Sequence, residues 1–372
     1  MSQVSDIARL LYEDIRHVAL APYRGAKEVR YTINGLQEGT IPPRKVAWTV
    51  VSTMAAFLVT AMLMFPIYWI LTIALNPSGG VYTTSGVRLI PEVISLKEFA
   101  WVVGPIITPE AISIGLPFIG ELFSIPVPGA IANKYVFNPA AYGVENIYTS
   151  GQIIQYGKNS AYVALWTVII GMSVILPGAY GMSRRDFLGR KRLLYVYVLL
   201  TQVAGSLGVA LLISLYALFN ILGFQDPGAN TRFWLAVYYA GGAVPFNTWL
   251  LKTYMDGIPI SYEEAAIVDG ASSWRIVYEI IVPLAKAGLA TVFVFVFLAG
   301  WTEYIVAQTI LGAGQYTLPV GVYALSPASP GFSVAWSKFA AFSLTFAVPL
   351  MLVYFFMQRY IQQGLSFGGM EG

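Results

Sequence analysis

The sequence has 372 residues, of which 57% are hydrophobic and 11% are charged, and its mean hydropathy is +0.65. These values exclude a soluble globular domain and indicate an integral membrane protein. Cysteine is absent and histidine occurs once, so we expect no disulfide framework, metal site or cofactor. The formal net charge of +3 is too small to indicate nucleic-acid binding.

The first 45 residues are predicted to form a cytoplasmic arm ahead of a first transmembrane helix in residues 46–76. Apolar residues recur in this arm at the spacing of one helical face: Ile7, Leu10, Leu11, Ile15 and Val18. The spacing predicts an amphipathic helix that lies on the membrane surface or packs against the protein's own cytoplasmic side.

Six segments are apolar over the roughly 20 residues that a helix needs to cross a bilayer. They are residues 46–75, 159–182, 193–222, 233–251, 287–311 and 339–357. The sequence therefore predicts an all-α membrane protein with six transmembrane helices. Five of them form a core domain over residues 159–358, which a cytoplasmic tail, 359–372, follows.

Residues 77–158 are predicted to be a folded extracytoplasmic insertion, because they are rich in glycine, proline and aromatic residues. Part of this insertion, residues 111–132, is apolar enough to suggest a seventh span. However, Gly115, Pro117 and Pro126 would interrupt a helix there. We expect a small cap over the membrane domain, with a re-entrant element as the alternative.

The distribution of Lys and Arg predicts the orientation in the membrane. The N-terminal arm, the connections between spans two and three and between spans four and five, and the tail hold 16 of the 22 residues. The other side holds 6, despite its longer loops. By the positive-inside rule, both termini and the connection 252–286 are cytoplasmic in a multi-pass protein of the inner (plasma) membrane.

The connection 252–286 contains two predicted short helices separated by a turn. Ser261 followed by Glu264 fits a capping box, in which the hydroxyl and the carboxylate each bind a free backbone N–H. Gly270 follows where a left-handed C-terminal cap is most favourable. The first helix is therefore predicted to end at this glycine.

A second helix is expected to begin at Ser272 or Ser273 and to end at Pro283. Its apolar residues at helical spacing predict one continuous face: Trp274, Val277, Tyr278 and Ile281. Two short helices joined by a tight turn, in a connection between membrane spans, are suited to docking into another protein.

These residues also resemble the EAA loop of permease subunits in binding-protein-dependent ABC importers. The matching positions are Glu264-Ala265-Ala266, Gly270 after three residues, and Ile280-x-Val282-Pro283 after nine more. The family usually has Leu where this chain has Val282, which conserves size and polarity. The resemblance implies the type I importer permease fold. The residues that it assigns to ATPase coupling are Glu264, Ala265, Ala266, Asp269, Gly270, Ile280 and Pro283.

The resemblance further implies a role for each part of the loop. Glu264 is expected to cap its helix and to pair with a basic group in a groove of the ATPase. Ala265 and Ala266 are expected to allow close approach, and Gly270 is expected to make the turn.

A second candidate site lies in the fifth predicted span. Burying a carboxylate there costs about 2.5–3.5 kcal/mol on insertion scales, so Glu303 is expected to face a cavity or a partner. The Trp-x-Glu-aromatic cluster also resembles a stretch of carbohydrate-uptake permeases, in which aromatic faces and carboxylate or amide groups hold sugars. The implied substrate path consists of Trp301, Glu303, Tyr304 and Gln308. The alternative is a structural hydrogen bond between helices.

The C-terminal tail, with Gly364-Leu365 and Gly368-Gly369, resembles that of maltose- and trehalose-type permease subunits, and the resemblance runs from about residue 159 to the end. It implies an ATP-driven importer of a maltose-, maltodextrin- or trehalose-like sugar. The implied partners are a second homologous permease, two ATP-binding cassette ATPases and an extracytoplasmic solute-binding protein.

The chain itself is expected to catalyse nothing. Its nearest match to a phosphate-binding loop, at Gly157-Lys158, has the wrong glycine spacing and Asn159 in place of Ser or Thr. An intramembrane enzyme would need several ionisable groups at one depth, yet Glu303 is the single one deep in a predicted span. A secondary transporter would be expected to show inverted half-repeats, which the sequence lacks. An importer of the same type for glycerol-phosphate, a polyamine or an amino acid stays open.

Overall fold

The computed structural model describes residues 42–76, 93–107, 109–116, 120–129, 132–144, 153–190, 208–324 and 336–367, with shorter stretches within 30–40, 82–90 and 192–200. The predicted amphipathic helix of the N-terminal arm lies outside the described residues. The chain divides into two compact units, Met1–Trp69 and Ile70–Gly372, and each is described by itself.

Helix α1, Pro43–Ala74, accounts for most of the described part of the first unit. Pro43 begins the helix, at a position where a backbone N–H would have no acceptor within the helix, so proline is tolerated there. The 32 residues extend about 48 Å at 1.5 Å per residue, which exceeds the hydrocarbon core of roughly 30 Å. Hydroxyls of Thr49, Thr53 and Thr60 donate to carbonyls one turn earlier at 2.8–2.9 Å, so these polar groups are satisfied within the helix.

The described part of the insertion consists of short strands and one helix rather than long helices. The elements are β1 (Tyr82–Thr83), β2 (Gly86–Val87), α2 (Lys97–Val103), β3 (Ile106–Ile107), β4 (Ala111–Leu116), β5 (Gly120–Pro126), β6 (Tyr135–Phe137) and a 3₁₀ turn, Pro139–Tyr142. The strands pair antiparallel as β1–β2, β3–β6 and β4–β5. The described strands are confined to this insertion, which was predicted to be folded, and the described remainder of the chain is helical.

The apolar stretch that suggested a seventh span is the β4–β5 hairpin. Ala111 pairs with Pro126 and Leu116 pairs with Gly120, with a register shift between Ile114 and Gly115. Glycine at the bulge and at the strand end favours this bent ribbon over a helix. The stretch is therefore neither a transmembrane helix nor a re-entrant helix.

The remainder of the second unit is helical. Its elements are α3 (Ile153–Arg184), α4 (Gly208–Ile221), α5 (Thr231–Asp256), α6 (Ser261–Val268), α7 (Ser273–Arg275), a π-helical turn (Ile276–Ile281), α8 (Val282–Leu284), α9 (Lys286–Trp301), α10 (Ile305–Ile310), a 3₁₀ turn (Ala313–Gln315), α11 (Leu318–Ala324) and α12 (Trp336–Phe367).

Helices α3, α5 and α9 form the centre of this bundle, and α12 packs on the side of α9. Glycine allows α9 to approach α3 closely. A Cβ atom on Gly300 would lie 2.9 Å from the Cα atom of Ala164, and one on Gly171 would lie 2.9 Å from Cγ1 of Val296. Small residues at such contacts let membrane helices pack backbone to backbone.

Four helices in the described residues are long and apolar enough to cross a membrane, and they match predicted spans one, two, five and six. They are Pro43–Ala74, Ile153–Arg184, Lys286–Ile310 and Trp336–Ile361. Predicted span five is interrupted, because α9 ends at Trp301 and α10 begins at Ile305. The segment 287–311 is therefore two helices and not the one continuous helix that was predicted.

The other two predicted spans correspond to α4 and α5. Residues 201–207 of the predicted third span lie outside the described residues, and α4 covers its second part as a shorter apolar helix. Helix α5 is 26 residues long but less apolar than the four clear spans. Its position explains this, because α5 buries Asn247 and Thr248 among neighbouring helices.

Candidate functional site

The first helix of the predicted coupling loop is present, but its N-terminus differs from the prediction. Helix α6 begins at Ser261, and its N-cap residue, Ile260, makes no side-chain cap hydrogen bond. The N–H groups of Glu263 and Glu264 instead donate to the carbonyl of Ile260 at 2.9 and 3.1 Å. The predicted capping box is therefore wrong, because the backbone carbonyl of Ile260 already satisfies these donors.

The turn between the two short helices is the one predicted. Gly270 has φ of +79°, in the left-handed region that favours glycine. The N–H of Ala271 donates to the carbonyl of Ala266 at 2.9 Å, and that of Gly270 donates to Ile267 at 3.0 Å. This pair of bonds is a Schellman motif, which fixes the direction in which the chain leaves α6.

The second helix begins as predicted but continues differently. The Ser272 hydroxyl accepts from the N–H of Arg275 at 3.4 Å and caps α7. The chain then passes through the π turn, which buries Ile276 and Ile281 and leaves Trp274 and Tyr278 exposed and stacked on each other, with ring centroids 5.8 Å apart. Trp274, Val277 and Tyr278 share one surface as predicted, but Ile281 lies in the core because the π turn shifts the helical register by one residue.

Pro283 does not end the helical run. It lies in the first turn of α8, where proline is tolerated, and the chain continues through Ala285 into α9. The carbonyl of Ile281 accepts from the N–H of Ala285 at 2.8 Å, which bridges the junction. The predicted coupling loop is therefore joined to a helix long and apolar enough to span a membrane by a nearly continuous helical segment.

A buried ion pair ties α6 to the end of α3. Nε of Arg184 donates to Oε1 of Glu263 at 2.5 Å, and the side chains are 7% and 10% exposed. The Tyr180 hydroxyl donates to Oε2 of Glu263 at 3.0 Å, and Nη2 of Arg184 donates to the carbonyl of Ile258 at 2.9 Å. Each carboxylate oxygen thus has a donor, and the guanidinium is fixed at two points.

Sequence reasoning missed this ion pair. Glu263 and Glu264 are adjacent in the chain, and the motif directs attention to Glu264. The orientation of α6 determines which of the two acids is buried: Glu263 packs against α3, and Glu264 is exposed. The available signal was an arginine at the end of one apolar segment and an acid in the first turn of the short helix that begins at Ser261.

The remaining predicted coupling residues fall into two groups. Glu264, Ala265, Asp269, Gly270 and Pro283 are exposed, whereas Ala266 is buried and Ile280 is half-buried against the bundle core.

Apolar side chains are also uncovered on α6. Tyr262 and Ile267 are exposed, and Val268 is 87% exposed. Large apolar side chains exposed together on one helix are typical of a docking surface.

The predicted substrate-path residues do not form one surface. Trp301 is 4% exposed and stacks between Phe297 and Phe346, with its Nε1 donating to the carbonyl of Phe346 at 3.4 Å. Tyr304 stacks on Tyr323, and Gln308 is exposed. The Trp301 ring is thus occupied by packing.

Glu303 fulfils two roles in the break between α9 and α10. Its carboxylate accepts from the Tyr239 hydroxyl and from the N–H groups of Val306 and Ala307, at 3.0–3.2 Å for the two amides. It therefore caps α10 and joins it to α5, as the alternative interpretation predicted. It also lines a cavity of about 300 Å³ with Tyr238 and apolar residues of α4. Among the described residues, no three His, Asp or Glu side chains cluster as metal ligands.

Residues 169–367 match the family described as "binding-protein-dependent transport system inner membrane component". The chain is 36% identical over 222 residues to a galactooligosaccharides transport system permease protein of Bacillus subtilis (strain 168), covering 59% of this chain and 75% of that protein. It is 29% identical over 338 residues to a maltose/maltodextrin transport system permease protein of Photorhabdus laumondii, covering 89% of this chain and 99% of the relative. That alignment extends further toward the N-terminus than the sequence motifs indicated.

The fold is also found among solved structures. A chain from the crystal structure of a bacterial ABC transporter involved in the import of the acidic polysaccharide alginate superposes with a TM-score of 0.59 at 18% identity. The superposition covers 86% of this chain and 98% of the other. This likeness confirms the predicted fold class, the type I importer permease fold.

Proposed function

Because this chain belongs to the inner membrane components of binding-protein-dependent transport systems, we propose that it is the permease subunit of an importer for a di- or oligosaccharide of the maltose, maltodextrin or trehalose type. It is a transport subunit and not an enzyme, and ATP hydrolysis belongs to a partner ATPase. In this proposal it pairs with a second homologous permease, two ATPase subunits and an extracytoplasmic solute-binding protein, with both termini in the cytoplasm.

The names of the relatives support the substrate class. Those from Bacillus subtilis are described as permeases for galactooligosaccharides and for maltodextrin, the latter 31% identical over 221 residues. The relative from Photorhabdus laumondii, which aligns with 89% of this chain, is described as a maltose/maltodextrin permease. A glucose- or galactose-based oligosaccharide is therefore the substrate that we propose.

The observation that carries the coupling role is the rigid attachment of an exposed loop. Helix α6 presents Glu264, Ala265 and Asp269 outward, while the Arg184–Glu263 ion pair holds its inner side to α3. On its other side, the loop continues through the π turn into α9. A partner that displaces α6 would therefore displace α3 and α9 with it.

The mechanism that follows is mechanical. Closure of the ATPase pair moves the coupling loop, and the loop moves α3 and α9 together because these helices pack closely at Gly300 and Gly171. The bundle then changes from outward to inward access. Glu303, Tyr304 and Gln308 remain proposed members of the sugar path, since Glu303 lines a cavity and the other two are exposed.

Two variants in reconstituted vesicles test the coupling role. Glu264→Lys reverses the charge at the docking surface, and Gly270→Val places a β-branched residue at φ of +79°. We expect both to insert in the membrane but to hydrolyse ATP without sugar uptake. Glu279→Lys and Gly270→Asn are the matched controls, because Glu279 is exposed elsewhere in the loop and Asn tolerates the left-handed conformation.

Normal uptake in both test variants would contradict the docking role. Sugar uptake by a purified complex that contains no ATPase would instead favour a secondary transporter. Uptake of polyamines, amino acids or glycerol-phosphate in place of any saccharide would overturn the substrate class alone.

A further inference from the structure

A polar cavity lies at the end of the bundle remote from the coupling loop. Its walls are the connection between α4 and α5 and the segment from the end of α10 through the following 3₁₀ turn, and its volume is about 530 Å³. This size is within the range of small-molecule sites. The lining side chains that carry polar atoms are Tyr216, Gln225, Asp226, Thr231, Thr309 and Gln315.

Two acceptors in this cavity have no partner among the described residues. The Asp226 carboxylate, the one charged group of the described lining, makes no hydrogen bond or ion pair there. Oε1 of Gln315 is buried and also has no hydrogen-bond partner. Asp226 is exposed at the mouth of the cavity, whereas a buried acceptor without a partner, such as Oε1 of Gln315, is costly. Both oxygens are therefore available to a ligand that brings donors.

The walls around these acceptors are fixed by hydrogen bonds. Nε2 of Gln225 donates to the carbonyl of Ile310 at 2.8 Å and joins the two walls. Nδ2 of Asn159 donates to the carbonyl of Tyr316 at 2.9 Å and to that of Gly314 at 3.4 Å, which holds the 3₁₀ turn against α3. Arg232 in turn donates to Oδ1 of Asn159 at 2.6 Å. A site preorganised in this way loses little entropy when a ligand binds.

The chemistry of the cavity suits a hydroxyl-rich ligand that donates hydrogen bonds. A carboxylate and an amide oxygen accept hydrogen bonds from hydroxyl groups, and the 46% exposed Tyr216 ring offers an apolar face for the C–H side of a sugar ring. Gly312 and Gly314 have open space where a side chain would stand, so the backbone on that side is accessible. A single metal ion would not fill a cavity of about 530 Å³.

We propose that this cavity is a saccharide-binding site on the permease itself, at the end of the bundle where substrate enters. This inference rests on the proposed function, because it assigns the same class of cargo to a second location, separate from the Glu303 cavity. The site would hold the sugar by Asp226 and Gln315 before it reaches the membrane-spanning path.

The test uses the purified complex with its ATPase subunits in lipid nanodiscs, without the solute-binding protein. Saturation-transfer NMR is recorded with maltose, maltotriose and galactobiose as probes. We expect binding of at least one probe, and we expect Asp226→Asn and Gln315→Leu each to weaken it about tenfold, since each removes an acceptor of the ligand's hydroxyl groups. Asp186→Asn is the control, because it removes the same charge beside Arg190 at the other end of α3.

Sugar uptake by the complete transporter is measured with the same variants. A raised KM for uptake with an unchanged maximal rate of ATP hydrolysis supports the site. If the complete transporter imports saccharides but the two variants bind and import like the unaltered protein, this inference is overturned while the proposed function stands. If no saccharide is imported or bound, both fail.

Discussion

At the scale of single residues, the ion pair between Arg184 and Glu263 carries the sharpest prediction. Glu263→Leu leaves a buried guanidinium without its carboxylate, and we expect a loss of about 3 kcal/mol in unfolding free energy. The double variant with Arg184→Met removes both charges and should recover most of this loss. Thermal unfolding of the purified complex measures both changes.

The exposed pair Arg275–Glu279 in the same loop provides the control. Its side chains are more than half exposed, so Glu279→Gln is expected to cause no measurable change in the unfolding midpoint. Equal losses for Glu263→Leu and for the double variant would show that packing volume, and not the charge pair, holds α6 to α3.

At the scale of elements, the contact between α9 and α3 depends on the absence of a side chain. Gly300→Ala would place its Cβ atom 2.9 Å from the backbone of Ala164 and from Oγ1 of Thr167, so the helices must separate. We expect a destabilisation of about 1–3 kcal/mol and slower transport. Gly181→Ala in α3 has open space and is expected to be neutral or stabilising in the same unfolding assay.

The free energy of unfolding is expected to depend on pH because of Glu98, a residue of helix α2 in the insertion. Burial raises the pKa of this carboxyl above its ordinary value of 4.5, although Lys338, Lys97 and a hydrogen bond with Ser337 act in the opposite direction. Between 4.5 and the raised pKa, the folded protein binds more protons than the unfolded chain, so stability falls as pH rises through this window.

The measurement for Glu98 compares two variants as a function of pH. The unfolding midpoint of Glu98→Gln should exceed that of the unaltered protein by a margin that grows as pH rises from 4.5. Glu110→Gln, which changes an exposed carboxylate in the same insertion, should show no such margin. A constant difference across the pH range would exclude titration of Glu98 as the cause.

The elements differ in how far the sequence could predict them. Long apolar runs defined α1, α3 and α12, and Gly270 defined its turn, because these signals are local. The ends of helix α5 were harder to predict, because this helix lies inside the bundle and buries polar residues such as Asn247.

Within the candidate site, the two short helices and the turn between them could be predicted from spacing, but their contacts with the bundle could not. The choice of Glu263 over Glu264 as the buried acid depends on the rotation of α6 against α3, which no local pattern specifies. The π turn likewise results from tertiary packing, since Ile276 and Ile281 are both drawn into the core.

At the scale of the whole molecule, the orientation in the membrane can be tested directly because the chain has no cysteine. Leu188→Cys and Val136→Cys introduce thiols at exposed positions in the α3–α4 connection and in β6. A membrane-impermeant maleimide applied to spheroplasts should label Val136→Cys at once and Leu188→Cys only after permeabilisation. The reverse pattern would contradict the orientation predicted from the distribution of Lys and Arg.

The π turn between α7 and α8 has a geometric consequence for the whole transporter. It contains one residue more than an uninterrupted α-helix, and each α-helical residue corresponds to a rotation of about 100°. If that residue were removed and the segment became a regular α-helix, α6 would rotate by about 100° around the α9 axis. The additional residue thus sets the direction in which the acidic side of α6 faces.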